Sequence, residues 1–162
     1  RIETGALHLE PEPLDIQDFA LQTVEDQIPQ AQPRAIDLRL TVDDSVLGKA
    51  FEADPLRMAQ LLGNLIGNAI KFSPPGRSVD VRVFLEGTQV TWEVRDQGPG
   101  IPLAEQKRIF ERFYRARATR GVPGTGLGLA IVKHLAHLMG GEVTVKSEVG
   151  RGSVFTLRIP QS

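Results

Sequence analysis

The chain has 162 residues, 41% of them hydrophobic and 24% charged, with a formal net charge of −1. That is one domain of globular composition, with no overall field to draw it to nucleic acid or an anionic membrane. It contains no cysteine, which removes disulfides and thiolate metal sites and fits a reducing compartment. No apolar run approaches the ~20 residues needed to cross a bilayer, and no signal peptide is visible. A start at Arg1 rather than at methionine is expected of a segment of a longer protein.

In chain order, residues 1–10 read as the frayed end of a helix that the Pro11-Glu12-Pro13 stretch stops. Residues 14–28 space Leu14, Phe19, Leu21, Val24 and Ile28 as an amphipathic helix does. Residues 36–42 alternate apolar and polar, the period of a half-buried strand, and 49–53 form a second short strand. Asp54-Pro55 is an N-cap followed by a first helical residue, opening a long helix to about Phe72 that "SPPG" ends. Residues 79–87 and 88–96 predict a hairpin turning at Gly87-Thr88. A glycine turn follows, then a short helix over 103–113 and an apolar-poor loop over 115–124 carrying Arg115, Arg117 and Arg120. A helix over 125–139 and a closing hairpin (141–147 and 152–160) complete the chain. Hairpins with helices between them predict an α+β two-layer sandwich: one mixed, mostly antiparallel sheet covered on one face by helices.

Three segments carry chemistry. In the long helix, Leu56, Ala59, Leu62, Leu65, Ile66, Ala69 and Ile70 supply an apolar stripe, while Asn64, Asn68 and Lys71 fall at i, i+4 and i+7 on one face. Asparagine competes with the helix backbone, so two on one face beside a lysine suit oxygen ligation of a hard cation plus a phosphate contact. A plain polar helix face is the other reading. Asp96 closes an alternating strand and is followed by Gly98 and Gly100. A carboxylate there can accept from an exocyclic amine while the glycines let a ring approach, or it can be an ordinary turn. Third, Gly124, Gly126 and Gly128 recur at every second position before a helix. Neither GxxxxGK[ST] nor GxGxxG fits: Leu129 and Leu103 stand where the last glycine would have to be.

Taken in order, these segments resemble the catalytic ATP-binding domain of sensor histidine kinases, within the superfamily of gyrase, Hsp90, histidine kinase and MutL ATPases. "NLIGNAIKFSPPG" is similar to that family's N box and "DQGPGI" to its first glycine box. "RIFERFYR" is similar to its phenylalanine box, "GTGLGLAIVKH" to its second glycine box, and "GRGSVFTLRIP" to its closing strands. The likeness runs from about residue 14 to 160 and implies the superfamily's Bergerat-type ATP-binding fold.

The resemblance implies that Asn68 binds the Mg²⁺ bridging the phosphates of ATP, with Asn64 one turn earlier. Lys71 would reach a phosphate or the nucleotide edge, and Phe72 would pack near adenine, where the family often has tyrosine. Asp96 would accept from the adenine amino group, Gly98 and Gly100 would give the ring room, and Ile101 would offer an apolar wall. Phe110 and Phe113 would anchor a lid whose charges include Arg112, Arg115, Arg117 and Arg120. Gly124, Thr125, Gly126, Leu127, Gly128 and Leu129 would form its far end at a helix N-terminus, which favours anions. Superfamily members that hydrolyse ATP place a glutamate where Asn64 stands, so slow hydrolysis and transfer to a supplied nucleophile are expected. None of His8, His134 or His137 sits in a His-acid-x-Arg context. The acceptor histidine is therefore expected on a separate dimerisation domain, with residues 1–10 as the tail of that helical hairpin and 11–162 as the catalytic domain. His134 and His137, one turn apart, are expected to be helix-surface or core-edge residues rather than a metal pair. The resemblance further implies a response regulator as partner, no nucleic acid, a monomeric isolated domain in a homodimeric kinase, and a cytoplasmic position in an inner-membrane sensor. A serine kinase of the same fold, or a non-catalytic nucleotide-binding module, remains the alternative.

Overall fold

Asp54 and Pro55 set the start of the element around which the rest is arranged. The computed structural model describes residues 2–3, 6–114 and 128–162. Its elements are β1 (Ile2–Glu3), β2 (Ala6–Leu7), β3 (Glu12–Asp15), α1 (Ile16–Ala31), β4 (Asp37–Val42), β5 (Ala50–Ala53), α2 (Pro55–Phe72), β6 (Ser78–Glu86), β7 (Gln89–Asp96), α3 (Leu103–Gln106), α4 (Gly128–Leu138), β8 (Glu142–Glu148) and β9 (Gly152–Pro160). Asp54 Oδ1 accepts the amides of Leu56 at 3.0 Å and Arg57 at 3.2 Å. Pro55 lacks the N–H that would otherwise go unmatched at the first helical position.

Five strands form one sheet in the order β4-β6-β7-β9-β8. β4 runs parallel to β6, and the other pairings are antiparallel. The sheet is therefore mixed and mostly antiparallel, as expected. One face, bearing Val79, Val81, Val83, Val90, Trp92, Val94, Phe155, Leu157 and Ile159, is buried against the helices. The other carries Arg82 opposite Glu93 and Arg158 opposite Glu142, paired at 3.6 and 3.9 Å. Such exposed pairs add little stability. β3 and β5 form a separate two-stranded ribbon, which brings Phe51 beside Phe19 and Trp92 with ring centroids 6.0–6.4 Å apart.

Several expectations shift. The described residues of the first ten hold no helix: β1 and β2 pair as a short antiparallel ladder, because a helix this short is marginal without packing partners. α1 begins two residues later than expected, where Asp15 caps it by accepting from Asp18 N at 2.9 Å. It runs on through Pro29 to Ala31. Its core stripe is Ile16, Ala20 and Val24, whereas Leu21 and Ile28 stay exposed. In α2 the buried stripe is Met58, Leu61, Leu62, Leu65, Ile66, Ala69 and Ile70. Leu56 is 70% exposed and Ala59 also faces solvent, since they lie on the side of the helix turned away from the stripe of Met58, Leu61 and Leu62. Gly63 and Gly67 let α1 approach, and a Cβ at Gly63 would meet Gln27 Nε2 at 3.2 Å. The helix expected over 103–113 is only α3, four residues long. Beyond it the backbone closes tighter turns, Arg108 N to the Glu105 carbonyl and Glu111 N to the Arg108 carbonyl. Those turns bury Ile109. Among the described residues no helix is long and apolar enough to cross a membrane.

Candidate nucleotide site

α2 delivers the polar end of the site. Asn64 and Asn68 are half-buried on the face turned towards α4. Asn64 Nδ2 donates to the Gly128 carbonyl over a long 3.4 Å, and a Cβ on Gly128 would lie 3.7 Å from Asn68 Nδ2. Both carboxamides therefore meet the first residue of α4, an eleven-residue helix whose N-terminal dipole favours negative charge. One turn on, Lys71 Nζ lies 5.7 Å from the Phe72 ring centroid, both residues half-buried. The four residues expected from the long helix thus lie on one side of it, with Gly128 facing the two asparagines from α4 and Leu129 packed against the core.

β7 delivers the other end. Asp96 is 7% exposed. Its Oδ1 accepts the Gly98 amide at 2.9 Å and the Ser153 amide at 3.2 Å, so Oδ2 has no protein partner among the described residues. Burial raises the carboxyl above its ordinary range, and the two amide bonds only partly oppose this. A buried acceptor with one oxygen fixed and one open discriminates an amine from a carbonyl oxygen, because mismatch leaves the acceptor unpaired.

The loop between Asp96 and Ile101 is held on both flanks. Gln97 N donates to Ser73 Oγ at 3.1 Å, Gly150 N to the Pro99 carbonyl at 2.8 Å, and Ile101 N to Ser147 Oγ at 2.8 Å. Gln106 Nε2 bridges the carbonyls of Ile101 and Ser147 at 2.8 and 3.0 Å. Gly98 sits where a Cβ would come within 2.8 Å of the Phe72 carbonyl. Gly100 has φ +78°, and a Cβ there would run into the Glu148 backbone. Here both glycines serve close backbone packing. Ile101 is buried beside them.

The aromatic box divides. Phe110 packs edge-to-face on Phe155, with centroids 6.2 Å apart. Phe113, expected to anchor with it, has φ 64° and is 65% exposed; the left-handed backbone turns its ring outward, with Arg112 beside it. Tyr114 takes the anchoring place, donating to Glu105 Oε1 at 2.6 Å and packing on the core. Arg115, Arg117, Arg120, Gly124, Thr125, Gly126 and Leu127 lie outside the described residues. His134 and His137 are exposed on α4, and no group of three or more His, Cys, Asp or Glu able to hold a metal occurs among the described residues. Sequence reasoning passed over Ser73, Gln106, Ser147 and Ser153. Of these, Ser73 and Ser153 carried a signal, as parts of the "NLIGNAIKFSPPG" and closing-strand motifs; Gln106 and Ser147 carried none.

Residues 53–162 match the family described as histidine kinase-, DNA gyrase B-, and HSP90-like ATPase. The circadian input-output histidine kinase CikA of Synechococcus elongatus is 39% identical over 99% of this chain, which spans 22% of that protein's length. Among solved structures, full-length ShkA in complex with AMPPNP superposes with TM-score 0.83 at 35% identity, covering 96% of this chain and 32% of that one. The mycobacterial sensor histidine kinase MprB superposes with TM-score 0.79 at 31% identity, covering 92% and 97%.

Proposed function

Because the chain belongs to the histidine kinase-, DNA gyrase B- and HSP90-like ATPase family, we propose that residues 11–162 bind Mg-ATP and act as the catalytic domain of a two-component sensor kinase. In this reading residues 1–10 are the end of a preceding dimerisation and phosphoacceptor hairpin. The observation that carries it is the pairing of the buried, half-tied Asp96 carboxylate with two carboxamides at the start of α4. One end suits an aminopurine edge and the other a cation–phosphate pair. ShkA, a structural relative, was solved with AMPPNP.

The residues fit the cofactor. Open Oδ2 of Asp96 receives the exocyclic amine, and Phe72 and Ile101 supply apolar contact. Mg²⁺ takes few protein oxygens and keeps its waters, so the Asn68 carbonyl together with phosphate oxygens would suffice, no acidic cluster occurring among the described residues. Lys71 and the α4 N-terminus neutralise phosphate charge. Bound Mg-ATP supplies the γ-phosphoryl group for transfer to a histidine of a partner domain, and from there to a response regulator. The chain itself contributes positioning and charge neutralisation, which such transfer chiefly needs. With an amide at Asn64 in place of a carboxylate base, water is not activated there and futile hydrolysis is slow.

Calorimetric titration of the chain with ATP, with and without Mg²⁺, followed by incubation with labelled ATP and a dimerisation domain supplied separately, tests this. Mg-dependent binding lost in Asn68→Ala, with histidine labelled only by the wild type, is expected. Metal-independent binding, or a labelled serine, would overturn the respective parts.

A further inference from the structure

Ser147 stands outside every motif that the family resemblance supplied, yet its hydroxyl has three neighbours. Ile101 N lies 2.8 Å from Oγ, the Gly152 carbonyl oxygen 2.9 Å and Ser153 Oγ 2.8 Å. A hydroxyl owns one proton and two lone pairs. The Gly152 carbonyl can only accept, so the Ser147 proton goes there. The Ile101 amide fills one lone pair. The Ser153 hydroxyl must then donate into the other, which directs its only proton away from Asp96.

Ser153 stands directly opposite Asp96 in the β7–β9 register and gives its amide to Asp96 Oδ1. With its proton committed to Ser147, Ser153 Oγ offers only lone pairs next to a carboxylate. The two side chains of the Asp96–Ser153 pair thus present acceptors alone, matching a base edge that donates and opposing one that carries an oxo group. The same Ser147 oxygen holds Ile101, the end of the loop that shapes the pocket, and the Ser147 carbonyl shares Gln106 Nε2 with the Ile101 carbonyl.

We propose that Ser147 is a positioning residue for base recognition: it orients the Ser153 hydroxyl and tethers Ile101, so that the site selects a nucleoside triphosphate whose base bears an exocyclic amine over one bearing an oxo group. The proposal rests on the reading of this site as nucleotide-binding.

The test compares Ser147→Ala with Ser147→Thr, which keeps an Oγ on a β-branched residue suited to a strand. ATP and GTP affinities of the whole chain are measured with Mg²⁺, and amide exchange is measured without nucleotide. In Ser147→Ala the freed Ser153 hydroxyl can turn and donate, so ATP binding weakens by about tenfold while GTP binding changes far less, and the ATP-to-GTP ratio collapses by a similar factor. The Ile101 amide, left without its acceptor, exchanges about tenfold faster or more. Ser147→Thr retains both the ratio and the protection. A merely structural serine would lower the melting temperature and weaken both nucleotides equally. An unchanged ratio in Ser147→Ala therefore overturns the proposal whatever the stability does, and unchanged Ile101 exchange overturns the tether. If the wild type binds neither nucleotide, the ATP reading falls and base selection by Ser147 falls with it. The exchange comparison then decides the tether alone.

Discussion

Arg34 Nη2 donates to the Ser73 carbonyl at 2.8 Å while its Nε donates to the Ile70 carbonyl at 3.0 Å. One guanidinium from the turn after α1 thus closes the C-terminal end of α2, where helix carbonyls have no partner of their own. Ser73 in turn holds Gln97 at the start of the loop between Asp96 and Ile101. Arg34→Met, which keeps the aliphatic stem, should lower stability by about 1–3 kcal/mol through two lost charged-donor bonds. Urea unfolding gives the readout, and a midpoint equal to the wild type's would show that the cap contributes nothing.

At the other end of α2, burial alone would raise Asp54, but the amides of Glu10, Arg57 and Leu56 outweigh it and hold the carboxyl below its ordinary range. An acid depressed in the fold stabilises above its unfolded pKa of about 3.9 and loses that contribution as pH falls through the folded value. Asp54→Ala should cost about 1 kcal/mol at pH 7, and the gap to the wild type should narrow below about pH 4. Melts of both proteins at the two pH values decide it. A gap that stays constant or widens in acid would mean that the carboxylate is not what caps the helix.

What was legible in the sequence was local. Asp54-Pro55, the Gly87-Thr88 turn and the alternation of β6, β7, β8 and β9 each declare themselves within a few residues, and the Asn64–Asn68 spacing defines a face without knowledge of a partner. What was not legible depends on contacts far along the chain. Nothing near Leu56 says that the sheet lies under Met58 and Leu61 instead. Nothing near Glu12 says that it pairs with Ala53. A single positive φ at Phe113 reassigns the anchoring ring to Tyr114. Ser147 and Ser73 act through a hydroxyl oxygen and Arg34 through two guanidinium nitrogens, on backbone groups 24 to 46 residues away, and a lone serine or arginine carries no periodic pattern that would reveal this.

Gly100 and Gly76 separate backbone conformation from packing. Both have positive φ, +78° and +85°, but a Cβ at Gly76 meets nothing within 4 Å while one at Gly100 meets the Glu148 backbone. Gly76→Ala should cost only the left-handed penalty, roughly 1 kcal/mol. Gly100→Ala should cost about 1–3 kcal/mol more, because the loop must shift from β8, and ATP affinity should fall with it. Equal losses in the two variants, measured by urea unfolding, would mean that the loop gives way freely.

Asp96 links stability and recognition with opposite signs. Burial raises its pKa in the fold, so the folded chain holds the proton more tightly than the unfolded chain. Such an acid contributes most below the unfolded pKa of about 3.9, and that contribution is lost as pH rises through the folded value. At neutral pH the buried charge therefore works against the nucleotide-free fold. Asp96→Asn keeps an Oδ1 to accept from Gly98 and Ser153 but removes the charge. The variant should melt higher than the wild type at pH 7 without nucleotide, with the difference closing towards pH 4. It should also lose about 10- to 100-fold in ATP affinity, because the open oxygen is replaced by an amide donor facing a donor. Thermal melts at both pH values, repeated with saturating ATP, should then reverse the order of the two proteins at pH 7. A variant that is less stable without nucleotide, or that binds ATP like the wild type, would show that the Asp96 carboxylate is a structural bond to Gly98 and Ser153 and not the base-reading group.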